Sequence, residues 1–184
     1  MILPIYVYGS PVLRKITEEV SKDDNKIYSF IDDLWETMKR SDGIGLAAPQ
    51  VGKSARIFVI DGTPLEEDDP GLKDFKKVFI NPEITYHNEV EKTFEEGCLS
   101  IPDIRDEVVR PEKIRIQYYD RNFNFHDEEY GGIAARIIQH EYDHLDGILF
   151  TDRIAPLKKR LLRGKLNAIA KGKFNVNYKV KVAK

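Results

Sequence analysis

The stretch QHEYDHLDG, residues 139–147, sets two histidines four apart with a glutamate directly after the first. On a helix, His140 and His144 stand one turn apart on the same face. Both imidazoles can then reach one divalent ion at roughly 2.0–2.1 Å. Glu141 projects about 100° around the helix, where it can meet a metal-bound water without ligating the ion. This is the H-E-x-x-H arrangement, with the glutamate as proton handler. Asp143 and Asp146 read as surface residues, or as carboxylates behind a ligand histidine, which metal sites often carry. Stepping backward along the face reaches Ile133 and Ile137, as apolar walls beside the metal or as plain core.

Two ligands leave a catalytic site incomplete, because such sites use three protein ligands plus water. Downstream of Leu145 there is no further histidine and no glutamate; only Asp146 and Asp152 remain, both close in sequence. Upstream stands the single cysteine, Cys98, in EEGCLSIP. A lone cysteine is usually a small buried hydrophobe. Placed after Glu96–Gly97, where a strand ends, it can equally point its sulfur at the helix. A thiolate with two imidazoles suits zinc or ferrous iron.

Other elements must position these groups. Ser10–Pro11 fits a helix start. From residue 24 to 41, Ile27, Phe30, Ile31, Leu34 and Met38 recur at helical spacing, with Trp35 on the same face. Residues 55–61 read as a buried strand, and 63–74 as an exposed acidic loop. Residues 77–87 read as two strands around a proline, and 89–97 as a strand running into glycine. Residues 113–120 and 123–130 form a possible hairpin around Arg121–Asn122. Gly131–Gly132 then opens the histidine helix. After Pro156, Leu157, Leu161, Leu162, Leu166 and Ile169 mark a second amphipathic helix. Residues 176–182 alternate as a strand does. Strands grouped away from a few helices argue for an α+β fold, with N-terminal and C-terminal helices.

The 184 residues suggest one domain, with residues 1–152 as its catalytic part and 153–184 as a basic extension. A hydrophobic share of 41% beside 33% charge is that of a globular chain. No window approaches the eighteen or more apolar residues of a membrane span. The start, MILPIYVYGS, lacks the pattern of a signal peptide, and one cysteine makes no internal disulfide. A cytoplasmic setting without a membrane partner is therefore expected. Charge is unevenly placed. After Asp152 there are 11 Lys and Arg residues and no acid, so the net −2 leaves −13 on the first 152 residues. Such asymmetry suits a polyanionic partner, although a solvated helix face also explains it.

The segments GIGLAAPQ (43–50), EGCLS (96–100) and QHEYDH (139–144) resemble, in the same order, the three signature motifs of the peptide deformylases. The resemblance covers residues 5–149. It implies a compact α+β fold, with mixed, mostly antiparallel sheets packed around the central metal-binding helix, and removal of the formyl group from the N-terminal methionine of new polypeptides, by attack of metal-bound water on the formyl carbon. It implies that Cys98, His140 and His144 hold the metal and that Glu141 is the general base and acid. Gln50 and the backbone N–H of Leu99 would form the oxyanion hole. Ile44 and Gly45 would line the peptide cleft, with Gly97 on its opposite edge. Ferrous iron is the expected physiological metal, with zinc, nickel or cobalt as alternatives. Ile44, Ile133 and Ile137 are candidates for the methionine pocket, and Arg105 for a contact to substrate backbone. The expected partners are formyl-methionyl peptides and nascent chains, with the basic tail as a ribosome contact. Two other readings compete: a peptidase of the H-E-x-x-H type, and a ribosome- or RNA-binding module with a structural metal.

Overall fold

The computed structural model describes residues 1–183; Lys184, the last of the basic tail residues, lies outside them. The first helix, α1, spans Lys26–Arg40 and buries Ile27, Phe30, Ile31, Leu34 and Met38. Three strands follow: β2, Gly45–Ala47; β3, Ile57–Asp61; and β4, Lys76–His87. With β7, Lys113–Tyr119, and β8, Phe125–Gly131, they make an antiparallel sheet in the order β2-β3-β4-β7-β8. Helix α2, Gly132–Leu145, carries the histidines.

Strand β3 shows why the sheet sits between the two helices. Successive side chains alternate between faces. Ile57 and Val59 join the cluster built on α1, while Phe58 and Ile60 join the one that holds Ala135, Ile137, Ile138 and Leu145 of α2. With both faces covered, the strand needs an unbroken apolar run, and the IFVI of residues 57–60 supplies it. Each such fully buried side chain contributes about 1.5–3 kcal/mol relative to exposure.

A separate hairpin pairs β5, Glu91–Cys98, with β6, Ile101–Pro111. It belongs to a third cluster, where Ile101, Ile104 and Val108 meet Leu166 and Ile169 of helix α3, Pro156–Ala170. The chain ends close this layer: β1, Ile5–Tyr6, pairs in parallel with β9, Val180–Lys181. No helix among the described residues is long and apolar enough to cross a membrane.

Several local expectations change. Residues 77–87 lie in one strand, not two, with a register break between Ile80 and Glu83. Asn81 takes a positive φ there, and its amide bonds both backbone groups of Val20 at 2.9 Å. The turn between β7 and β8 is longer than Arg121–Asn122, because the Asp120 carboxylate accepts from the backbone N–H groups of Asn122 and Asn124. The acidic loop carries two short 3₁₀ turns and buries Leu72. Ser10 makes no side-chain cap; Pro11–Arg14 is a single 3₁₀ turn. On α3 only Leu166 and Ile169 are buried, whereas Leu157 and Leu161 stand 71% and 77% exposed. The terminal strand shortens to two residues because its partner β1 offers no more.

Candidate metal centre and cleft

Strand β5 delivers Cys98 to the top of its hairpin, where the register shifts between Gly97 and Cys98. There the sulfur faces α2. Cys98 Sγ lies 3.3 Å from His144 Nε2. The candidate donor atoms of Cys98, His140 and His144 all fall within 4.8 Å of one another, the only such group of three or more among the described residues. Bond lengths typical of zinc would set sulfur and nitrogen donors about 3.5 Å apart around a tetrahedral ion. The observed spacing and the donor chemistry therefore fit a divalent cation. His144 also buries Nδ1 without a hydrogen-bond partner among the described residues.

His140 is more firmly held. Its Nδ1 lies 2.8 Å from Glu96 Oε2. Burial alone would raise the Glu96 carboxyl, but hydrogen bonds from His140 and Arg110 outweigh it and hold it well below the usual carboxylate range. An ionised Glu96 accepts, so Nδ1 donates and Nε2 is left with its lone pair.

Glu141 sits beside the ligand atoms without joining them. It is buried, and its Oε2 has no hydrogen-bond partner among the described residues. Burial pushes its carboxyl up to about 7; a nearby cation would pull it down again. Its close neighbour across the cleft is Gly45. A Cβ on Gly45 would come within 2.8 Å of both Glu141 Cγ and Cδ. Glycine there is a steric requirement of the carboxylate's position.

Gln50 occupies a 3₁₀ turn, Ala48–Val51, directly after β2. Its Oε1 accepts from Ala47 N at 2.9 Å, which fixes the amide's orientation. Nε2 is thereby turned toward Cys98 Sγ at 3.4 Å and Ser100 Oγ at 3.2 Å. Leu99 follows the sulfur, and its carbonyl accepts from Tyr178 Oη at 2.8 Å.

Gln50, Cys98, Leu99, His140 and Glu141 open onto one cavity of about 910 Å³. Ile44, Gly45, Gln50, Gly97, Leu99, Ile133, Ile137 and Arg105 all line it. Ile133 and Ile137 are also part of the α2 core cluster, so they serve as wall and core together. Arg105 is exposed and packs over Gly97, 3.8 Å from Glu95. A Cβ at Gly97 would meet Arg105 Nη1 at 2.9 Å.

A family model described as polypeptide deformylase matches residues 2–160. The chain belongs to the peptide deformylase family. Among its relatives, the peptide deformylase of Christiangramia forsetii is 50% identical over 188 residues, covering 98% of this chain and 96% of that protein. That of Cytophaga hutchinsonii is 46% identical, covering 98% and 97%. Among solved structures, the peptide deformylase from Legionella pneumophila aligns with a TM-score of 0.81 at 39% identity, covering 94% of this chain and 98% of that one. The α+β architecture, antiparallel sheets with three helices, is that of the family's solved members.

Sequence reasoning missed Glu96, Arg110 and Arg136 behind the ligands. Glu96, Arg110, Arg136 and Asp143 are all buried. Asp143 is not a surface residue: it pairs with Arg110 at 2.8 Å and with Arg153 at 2.5 Å. Asp146, by contrast, pairs with Arg56 near the surface at 2.8 Å. The usable signal was Glu96, two residues before the only cysteine.

Proposed function

We infer that the chain is a metal-dependent amidohydrolase that removes the N-terminal formyl group from formyl-methionine of newly made polypeptides. The observation that carries this reading is the donor cluster of Cys98, His140 and His144, opening through Cys98 and His140 onto the cavity that Glu141 and Gln50 also line, in a member of this family.

Cys98, His140 and His144 would hold one divalent cation, with ferrous iron the physiological choice and zinc, nickel or cobalt able to substitute. When bound, such a cation lowers the pKa of water toward about 7 and so makes a nucleophile available near neutral pH. Glu141 takes the proton released there and returns it to the departing amine. Its buried Oε2, without a hydrogen-bond partner among the described residues, suits that task. Attack on the formyl carbon develops negative charge on its oxygen. The Gln50 amide nitrogen, already turned to the sulfur, and the Leu99 N–H would stabilise it. Ile44 and Gly45 line one side of the peptide's path and Gly97 the other, with Arg105 above Gly97 as a contact to peptide backbone. Ile44, Ile133 and Ile137 would take the methionine side chain. Acetyl differs from formyl by one methyl group, and lost apolar contact alone discriminates by only about 1–3 kcal/mol. Rejection of acetyl therefore rests on steric exclusion by the buried wall beside the cation.

The deciding experiment is an anaerobic assay of formate release from a formyl-Met peptide, with metal analysis of the same sample. Formate release that follows metal content is the expected result. A metal-loaded sample that releases none would overturn the reading. Gly45→Ala tests the cleft's geometry. The added methyl must displace Glu141, and a misplacement of about 1 Å can cost about 10²-fold in rate. That loss, with metal content unchanged, is expected; full turnover would show that Glu141 tolerates movement.

The reading takes residues 153–184 as an extension of the catalytic domain, supported by the packing of Leu166 and Ile169 against β6 residues. It implies a cytoplasmic enzyme that meets chains at the ribosome through the basic tail. Exposed Leu157 and Leu161 beside exposed Arg160, Arg163 and Lys165 support that contact. Reversing those three charges to Glu is expected to reduce cosedimentation with ribosomes, and binding of the parent should weaken as salt rises. Unchanged, salt-independent cosedimentation would remove the tail from the contact.

A further inference from the structure

We propose that Arg110 is a positioning residue of the metal centre: through Glu96 it fixes His140 in the orientation and tautomer that present Nε2 to the cation. The inference rests on the ligand set read above.

Arg110 lies on β6 and is 2% exposed, the bulkiest of the fully buried side chains. Its guanidinium forks onto Glu96, with Nε 2.7 Å from Oε1 and Nη2 3.0 Å from Oε2. Its remaining nitrogen, Nη1, donates to Asp143 Oδ2 at 2.8 Å. The two carboxylates belong to different elements. Glu96 stands on β5, two residues before Cys98, and Asp143 stands on α2, between His140 and His144. One planar cation thus ties the strand that brings the sulfur to the helix that brings the rings. A planar fork holds this geometry where a lysine would not.

The contact then passes to the ligand. Glu96 Oε2 accepts from His140 Nδ1 at 2.8 Å, and Arg136 Nη1 adds a bond to Glu96 Oε1 at 3.0 Å. With both oxygens held by guanidinium nitrogens, Glu96 cannot rotate, and the imidazole it bonds cannot flip. A carboxylate behind a ligand histidine fixes its tautomer and raises its basicity. Bulk alone does not account for the arginine. Buried ion clusters are weak sources of stability, and apolar residues of similar volume often replace them without loss. A role in shaping the ligands does account for it.

The test compares Arg110→Met, Arg110→Lys and Glu96→Gln with the parent, all as full chains. Zinc affinity is measured on the stripped proteins by competition with a chromophoric chelator. The visible spectrum of the cobalt-loaded proteins reports ligand geometry, and thermal melting of the stripped proteins reports fold stability. Arg110→Met is expected to weaken zinc binding about 10–100-fold and to shift the cobalt bands. It should lower kcat for a formyl-Met peptide while leaving KM within about twofold. Arg110→Lys, with charge but no fork, should recover only part of the affinity. Parental affinity and an unchanged cobalt spectrum in Arg110→Met would overturn the proposal, whatever its melting temperature. If that variant does not fold, Glu96→Gln carries the decision, with about 10-fold weaker binding expected and parental affinity overturning the proposal. Cys98→Ala is measured alongside. Parental affinity there would remove the ligand set itself, an outcome separate from parental affinity in the Arg110 and Glu96 variants alone.

Discussion

Glu141→Gln is expected to slow formyl-peptide turnover by about 10²–10⁴-fold while the protein keeps its metal. The carboxylate stands on the same turn as His140, yet it is not among the three residues whose donor atoms converge. Its Oε2 has no hydrogen-bond partner among the described residues, so its loss should cost the fold little. Glutamine keeps the shape that packs against Gly45 but can neither take nor return a proton. Turnover and metal content should therefore separate. A variant that loses metal together with activity would make Glu141 a ligand and break the assignment of proton transfer to it.

Cys98→Ala should show the opposite pattern, with metal lost first and activity following it. Alanine removes the only sulfur from the set and leaves two imidazoles. Changing an outer partner of a ligand costs about 10–100-fold in affinity, so removing a ligand itself should cost at least about 100-fold. The variant is expected to leave gel filtration against a chelator without metal, where the parent retains one ion per chain. The fold should persist, because the side chain packs only at the margin of its apolar cluster. Retention of a full equivalent of metal would take the sulfur out of the ligand set.

The parts legible in sequence share one property: their meaning is local. His140, Glu141 and His144 lie within a single helical stretch, so spacing alone sets them on adjoining faces. The apolar side of α1 was equally plain, and its core residues are those the periodicity marks. Strand β6 was invisible for a physical reason. Its inward positions alternate as Ile104, Asp106, Val108 and Arg110, so charge interrupts the hydrophobic pattern. Arg110 and Asp143 could not be matched in sequence because 33 residues separate them, and His140 lies 44 from Glu96. Only the hairpin's docking on α2 brings them together. On α3 the periodicity was real but promised too much: the core meets the last turns, and Leu157 and Leu161 are left to solvent. The match of three motifs to the deformylases supplied what local pattern could not, namely the expectation that Cys98 is a ligand and not a small buried hydrophobe.

The N–H of Ile5 donates to Lys179 O at 2.9 Å, and that of Val7 to Lys181 O at 3.1 Å. During translation, β1 therefore emerges without a partner and waits until β9, distant in sequence, has been made. The apolar cluster that Cys98 borders also takes in Val180 and Val182, so it stays incomplete until that strand has been made. The hairpin that carries the sulfur therefore gains its full packing only with that distant pairing.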